Sequence, residues 1–262
     1  MIPHQIQVLQ SALATIIEGG RGVSGTPRPQ QPAKPIQLYD MEACPFCRRV
    51  REVLTMLNLD FDVYPCPKDG TRFRPVATEI IRSLGGEVKF PLLVDQNTGV
   101  TLQESQDIID YLFKTYGNSG KTPRKWQNLS KKPVIGTLVS GVRLMRGLKA
   151  DQGNANRKLP TGQFELWSFE GSPYTRLVRE RMCELELPYT LHNVAKERWQ
   201  DMGPAVLRLK PGVYEPLPGG KRERELPKMQ DRLQVPYLID HNTGLQMFES
   251  KDILSYLERT YA

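Results

Sequence analysis

The sequence predicts an α/β protein made of two copies of one βαβαββα unit, each with a mixed four-stranded sheet and a preceding helix. Three observations carry this. Residues 36–64 align without gaps to residues 164–192 at an offset of 128, and residues 89–117 align to residues 234–262 at an offset of 145. Within each copy, short apolar runs alternate with segments of helical period. The two offsets leave the second copy 17 residues longer in its middle, and the Pro- and Gly-rich stretch 211–228 is expected to hold the excess as a surface excursion. The chain thus divides into an N-terminal helix and linker (1–35), a first unit (36–117), a basic linker containing a helix (118–163) and a second unit (164–262).

The elements follow in order. Ile6, Leu9, Leu13 and Ile16 recur at spacings of 3, 4 and 3, as do Ile135, Leu138, Val142 and Met145, so each unit owns a leading helix. Such a helix suits either packing on the neighbouring unit or a membrane surface, and the scarcity of basic residues on the first favours packing. Ile36-Gln37-Leu38-Tyr39 forms the first strand of its unit. A proline at the first helical position (Pro45, Pro173) then opens a helix whose apolar positions are Phe46, Val50, Val53, Leu54 and Leu57, or Tyr174, Val178, Met182 and Leu185. A second strand (Phe61-Asp62-Val63-Tyr64; Tyr189-Thr190-Leu191-His192) precedes a helix with Ile80, Ile81 and Leu84, or Ala205, Val206 and Leu209. A hairpin turns at Asn97-Thr98-Gly99 and again at Asn242-Thr243-Gly244. The last helix carries Ile108, Ile109, Leu112 and Tyr116, or Ile253, Leu254, Leu257 and Tyr261.

Composition limits the function classes. The chain has 262 residues with a formal charge of +7 and 39% hydrophobic residues, and no apolar run reaches the roughly 18 residues a membrane span requires. The first residues do not read as a secretory signal, so a cytoplasmic or equivalent reducing compartment is expected. Four cysteines are too few for a disulfide scaffold. The two units carry −3 and −1, residues 1–35 carry +2, and the connector 118–163 carries +9. The units therefore give no support for nucleic-acid binding, and the excess charge reads as a solvated linker.

The chemistry concentrates at Cys44-Pro45-Phe46-Cys47, between a strand and a helix start. A thiol there meets unpaired backbone N–H groups and the positive end of the helix dipole, with Arg48 and Arg49 adjacent in sequence, so its pKa should fall. Cys44 is then the nucleophile, and Cys47, one turn along, could resolve a mixed disulfide. The alternative, half a zinc site, finds no second cysteine pair at ligand spacing, and no metal is expected. Cys66 reads as an exposed thiol with a possible resolving role, and Cys183 as an inert part of the core.

This strand and Cys-Pro-Phe-Cys turn, with the later Phe90-Pro91 and Glu104-Ser105, resemble the glutaredoxin and glutathione S-transferase N-terminal domain, a thioredoxin-like fold. The resemblance covers residues 36–117 and again 164–262. It implies a cis proline at Pro91 and Pro236, with the backbone of Phe90 and Val235 pairing with the cysteinyl part of glutathione. It also implies that Glu104 with Ser105, and Glu249 with Ser250, hold the γ-glutamyl end at a helix start. Capping alone would explain each serine but not the Glu-Ser pair in both copies.

The second copy departs at the key place, since Ser172-Pro173-Tyr174-Thr175 replaces both cysteines. That run is similar to serine-type glutathione transferases, in which Ser172 would stabilise a bound glutathione thiolate; equally, Ser172 is a plain N-cap. The all-helical domain that follows in full-length transferases has no counterpart, which disfavours conjugation of bulky electrophiles. The expected function is a glutathione-linked thiol-disulfide oxidoreductase acting on disulfide-containing or glutathionylated proteins through Cys44. Glutathione is the co-substrate, and the second copy binds glutathione or a partner. The alternatives are a non-catalytic tandem scaffold and a transferase using Ser172.

Overall fold

The computed structural model describes residues 2–28, 30–127, 134–153, 159–203 and 214–262. In the first copy β1 (Ile36–Asp40), α2 (Pro45–Met56), β2 (Phe61–Pro65), α3 (Arg74–Ser83), β3 (Leu92–Asp95), β4 (Val100–Leu102) and α4 (Ser105–Tyr116) follow the leading helix α1 (His4–Ile17). The second copy, led by α5 (Val134–Val142), contains β5 (Phe164–Ser168), α6 (Pro173–Glu184), β6 (Tyr189–Asn193), α7 (Lys221–Glu225), β7 (Tyr237–Asp240), β8 (Leu245–Phe248) and α8 (Ser250–Tyr261). The expected helix over Ala205, Val206 and Leu209 lies outside the described residues.

Both copies have the expected mixed sheet, and the two sheets are one. β1 pairs parallel with β2 and antiparallel with β3, as β5 does with β6 and β7. The second strands then pair antiparallel across the copies, Phe61 with Leu191 and Val63 with Tyr189, giving the order β4-β3-β1-β2-β6-β5-β7-β8. Thr190 Oγ1 donates to Asp62 Oδ1 at 2.6 Å on this seam. Pairing of the second strands removes two exposed edges that each copy alone would present. The hydrophobic core is correspondingly continuous, running from Ile36, Val50 and Leu54 through Phe61 and Leu191 to Phe164, Val178 and Leu257.

Each hairpin is tied to its closing helix in the same way. Asp95 and Asp240 are fully buried and accept the N–H of Asn97 and Asn242, both at 2.8 Å. They also accept the hydroxyls of Tyr111 and Tyr116, or of Tyr256 and Tyr261. Burial pushes both carboxyls up, but these hydrogen bonds outweigh it and hold them below the usual carboxylate range.

Two expectations are corrected. The stretch placed in a surface excursion is, over residues 214–228, built into the molecule: Lys221, Arg222 and Glu225 are buried, and Met229 just beyond joins Trp167, Val194 and Tyr237 in a small core. The reason is polar satisfaction, since Glu225 accepts the Trp167 indole N–H at 2.9 Å and the Lys221 ammonium reaches Asp60 of the first copy. The leading helices pack on the neighbouring copy, as expected, but with the opposite face inward. α1 packs on α6 of the second copy, α5 on α2 of the first, and they touch each other. Their buried residues are Ser11 and Ala14, or Val139, Ser140 and Arg143, while Ile6, Leu9, Leu13, Ile16, Ile135 and Leu138 are exposed. Close approach demands small residues on the inner face: a Cβ at Gly136 would stand 2.6 Å from the Pro45 Cβ.

Charged side chains dominate the inner face of α2 and α6. Arg51 pairs with Asp40, with Glu42 at 3.1 Å and with Glu170 of the other copy at 3.0 Å. Arg179 pairs with Glu42 at 2.7 Å and Glu170 at 2.9 Å, while Arg48 and Arg176 share Glu18 at 3.3 and 3.2 Å. All eight groups are buried. Arg51 and Arg179 each pair with carboxylates from both copies, and Arg48 and Arg176 meet on Glu18, so the buried charges are opposed by charges of the other sign.

Candidate active site

The turn after β1 places the thiols. Cys44 N–H donates to the Met41 carbonyl at 3.1 Å, Pro45 starts α2, and Cys44 is left as the N-cap with its sulfur accepting the Cys47 N–H at 3.4 Å. Cys44 is half-buried, whereas Cys47 is fully buried beside Tyr39, Ala77, Ile81 and Leu92.

The two thiols are displaced in opposite directions. The Cys47 thiol beside it, the N–H groups of Cys47 and Phe46 and the Arg51 charge together outweigh burial and bring Cys44 down to about 7. Burial, reinforced by the neighbouring Cys44 and by the Asp40 charge, pushes the Cys47 thiol well above its ordinary value. The arginines adjacent in sequence are not the source. Arg48 is drawn to Glu18 and to the Gly136 carbonyl, and buried Arg49 lies with Glu52, so the cation that acts on the sulfur is Arg51, two turns along the helix. Asp40, buried and pushed up to about 6 by its burial against the pull of Arg51, completes this environment.

Both Phe90-Pro91 and Val235-Pro236 are cis. The Phe90 carbonyl lies 3.9 Å from Cys44 Sγ, and the Arg74 guanidinium sits 4.9 Å from the Phe90 ring centroid. Arg74 also forms one wall of an open cavity of about 490 Å³ along α3, with Pro75, Thr78, Glu79 and Arg82. The Gln103 side chain donates to the Lys89 carbonyl at 3.0 Å, which ties the start of α4 to the Phe90-Pro91 turn. There the expected caps are shifted by one residue: Glu104 and Glu249 occupy the cap position, and Ser105 and Ser250 are the first helical residues. Glu104 and Glu249 adopt φ of 25° and 66°, a left-handed backbone that costs a non-glycine residue roughly 1–3 kcal/mol.

The second copy is filled by its own chain. Ser172 caps α6, accepting the Thr175 N–H at 3.3 Å and bonding the Thr175 hydroxyl at 2.9 Å, and only 1% of its surface is exposed. Thr15 of α1 donates to the carbonyl of the preceding Gly171 at 3.0 Å. Ser250 bonds His4 Nε2 of α1 at 3.2 Å, and Glu249 accepts from Gln234 at 2.6 Å beside half-buried Val235 and buried Pro236. Ser172 is thus positioned as a structural cap and not as an open hydroxyl.

Cys66 is also corrected: it is fully buried, its thiol donates to the Tyr64 carbonyl at 3.4 Å, and burial pushes it far up, so it offers no ready thiolate. Cys183 is buried and donates to the Gly147 carbonyl at 3.3 Å. Arg51, Asp40 and Arg74 escaped the sequence reading. A signal for Asp40 existed, because the repeat alignment sets it against Ser168 in the copy that carries Ser172 and Thr175 in place of the two cysteines.

A model of the glutathione S-transferase N-terminal domain matches residues 38–120 and 166–262. Searches of individual curated proteins and of solved structures returned no match. With two matched segments that span most of the polypeptide, the chain belongs to the glutathione S-transferase N-terminal domain family, which it contains twice.

Proposed function

We propose that the first copy is a glutathione-linked thiol-disulfide oxidoreductase with Cys44 as its nucleophile. The observation that carries this reading is the split between the two thiols: a half-exposed Cys44 brought down to about 7 at a helix start, against a buried Cys47 held high. The Cys44 thiolate attacks the glutathionyl sulfur of a protein mixed disulfide. The protein–S bond breaks, the protein leaves as a thiolate that takes a proton from water, and Cys44 carries the glutathionyl group. A second glutathione thiolate attacks that sulfur, releasing oxidised glutathione and restoring Cys44. Free glutathione suits this second step better than Cys47, whose thiol must first lose a proton against its burial.

The chain offers fitting contacts for glutathione. The Phe90 backbone lies beside the sulfur, Arg74 and the cavity along α3 suit a carboxylate at one end, and Glu104, Ser105 and the start of α4 suit the γ-glutamyl end. Val235, Pro236, Glu249 and Ser250 of the second copy are read as structural, because α1 and neighbouring side chains already engage them; this also disfavours the transferase reading of Ser172. Incubation with oxidised glutathione should add one glutathionyl mass to Cys44. Cys44→Ser should abolish deglutathionylation, whereas Cys47→Ser should retain most of it. An unmodified Cys44, or a Cys44→Ser variant as active as the parent, would favour the scaffold alternative.

A further inference from the structure

The connector helix α5 closes on the thiol turn at three points. Gly136 lies against Pro45, so closely that a Cβ there would stand 2.6 Å from the proline Cβ. The Arg48 guanidinium donates to the Gly136 carbonyl at 3.3 Å. One turn further along α5, the buried Ser140 hydroxyl lies 2.7 Å from the Ala43 carbonyl and 3.0 Å from that of Gly136. The hydroxyl has one proton to give, and Gly136 already receives Arg48, so the shorter contact to Ala43 takes it. Among the described residues no other donor reaches the Ala43 carbonyl, which belongs to a buried residue.

The second copy makes the same contact from the other leading helix. Arg176 donates to the Ser11 carbonyl at 2.8 Å, and one turn further along α1 the Thr15 hydroxyl donates to the Gly171 carbonyl at 3.0 Å. Gly171 stands before Ser172 as Ala43 stands before Cys44, yet the residue of α1 that matches Ser140 in the spacing of the two helices is Ser11 and not Thr15. Different positions of the two helices thus supply one contact. What recurs is the requirement of the turn, a carbonyl just ahead of the N-cap that needs a donor from outside its own segment.

In the first copy that carbonyl is one end of the peptide unit leading into Cys44. The other end, the Cys44 N–H, donates to the Met41 carbonyl at 3.1 Å. Held at both ends, the unit keeps the Cys44 sulfur 3.4 Å from the Cys47 N–H. We propose that Ser140 is a positioning residue for the thiol site, fixing the Ala43–Cys44 peptide from the connector helix and so fixing where the Cys44 sulfur stands. The proposal rests on the reading of Cys44 as the nucleophile, and it gives α5 a part in the reactivity of a copy to which it does not belong by sequence order.

The test is the pH profile of iodoacetamide alkylation in the full chain, read by mass at Cys44, since the other three cysteines are buried. In Ser140→Ala the freed peptide unit should loosen the sulfur from the Cys47 N–H, so the midpoint should rise from about 7 to about 7.5 or higher. Alkylation at pH 6 should then be about threefold slower than in the parent. Thr15→Ala deletes the matching bond in the copy without a thiol and should leave the Cys44 profile unchanged. Gly136→Ala keeps the hydroxyl but forces α5 away from Pro45, and should move the midpoint in the same direction as Ser140→Ala. A Ser140→Ala midpoint equal to that of the parent, or an equal shift in Thr15→Ala, would overturn the proposal, because the contact would then do no more than hold the fold. Alkylation needs no glutathione, so this result stands apart from the deglutathionylation assay: either can fail while the other succeeds.

Discussion

At the scale of single residues, the prediction concerns which sulfur ionises. Cys44 alkylation by iodoacetamide should rise with pH around a midpoint of about 7. Cys47→Ala removes the S–H that stabilises the neighbouring thiolate, so the midpoint should move upward; an unchanged midpoint would assign the effect to the backbone N–H groups and Arg51 instead. The position of Cys44 at a helix start was legible in the sequence because a strand, a proline at the first helical position and a cysteine just before it suffice to define an N-cap. The identity of the supporting cation was not. Arg48, Arg49 and Arg51 are equivalent as letters, and only the placement of Glu18, Glu42 and Glu170 sorts them. Cys66 was misjudged because its flanking prolines suggested a loop at the surface, whereas its N–H donates to the Asp40 carbonyl and anchors it inside.

Secondary-structure elements carry two further tests. Tyr261→Phe deletes a hydroxyl that donates to buried Asp240 at 2.5 Å, and loss of a hydrogen bond to a charged acceptor should cost about 1.5–3 kcal/mol in urea unfolding. Tyr116→Phe at the matching site of the first copy should cost a similar amount. Arg51→Met strips the common partner from Asp40, Glu42 and Glu170, and a destabilisation of about 3–5 kcal/mol is expected. Strands, hairpins and closing helices were readable from periodicity and turn residues. The ion cluster was not, because arginine and glutamate on a helix normally mark its solvated face, and here they line the seam between α2 and α6. The leading helices misled for the opposite reason: their apolar stripe was assigned inward, yet small residues make the contact.

For the whole molecule, the shared sheet and core predict one cooperative unfolding transition, with Trp126 in the first half and Trp167 in the second reporting the same midpoint. Distinct midpoints would contradict the shared core. The seam also carries a pH dependence. His192 lies between Asp60 at 3.3 Å and Glu165 at 2.8 Å; burial lowers its pKa, but these two carboxylates more than compensate and raise it to about 9. A folded-state pKa above the unfolded value of roughly 6.5 means the stabilisation is complete below that pH and is lost as pH rises through about 9. The stability gap between the parent and His192→Gln should therefore be largest near pH 6 and shrink by pH 9.5. The repeat and its two units were legible from self-similarity, but their fusion was not, since an edge strand reads alike whether it faces water or another edge.

That seam has a consequence for how such a molecule can diverge. In a symmetric homodimer every substitution is made twice and must suit both sides of the axis. Here the corresponding positions of Asp60, Glu165 and His192 are Pro188, Gln37 and Tyr64, so the bridge across the seam exists once, with no mirror image. The same freedom lets Cys44 and Asp40 stand opposite Ser172 and Ser168. Covalent linkage lets the two halves differ at matching positions while each remains part of the one sheet and core against which the other is built.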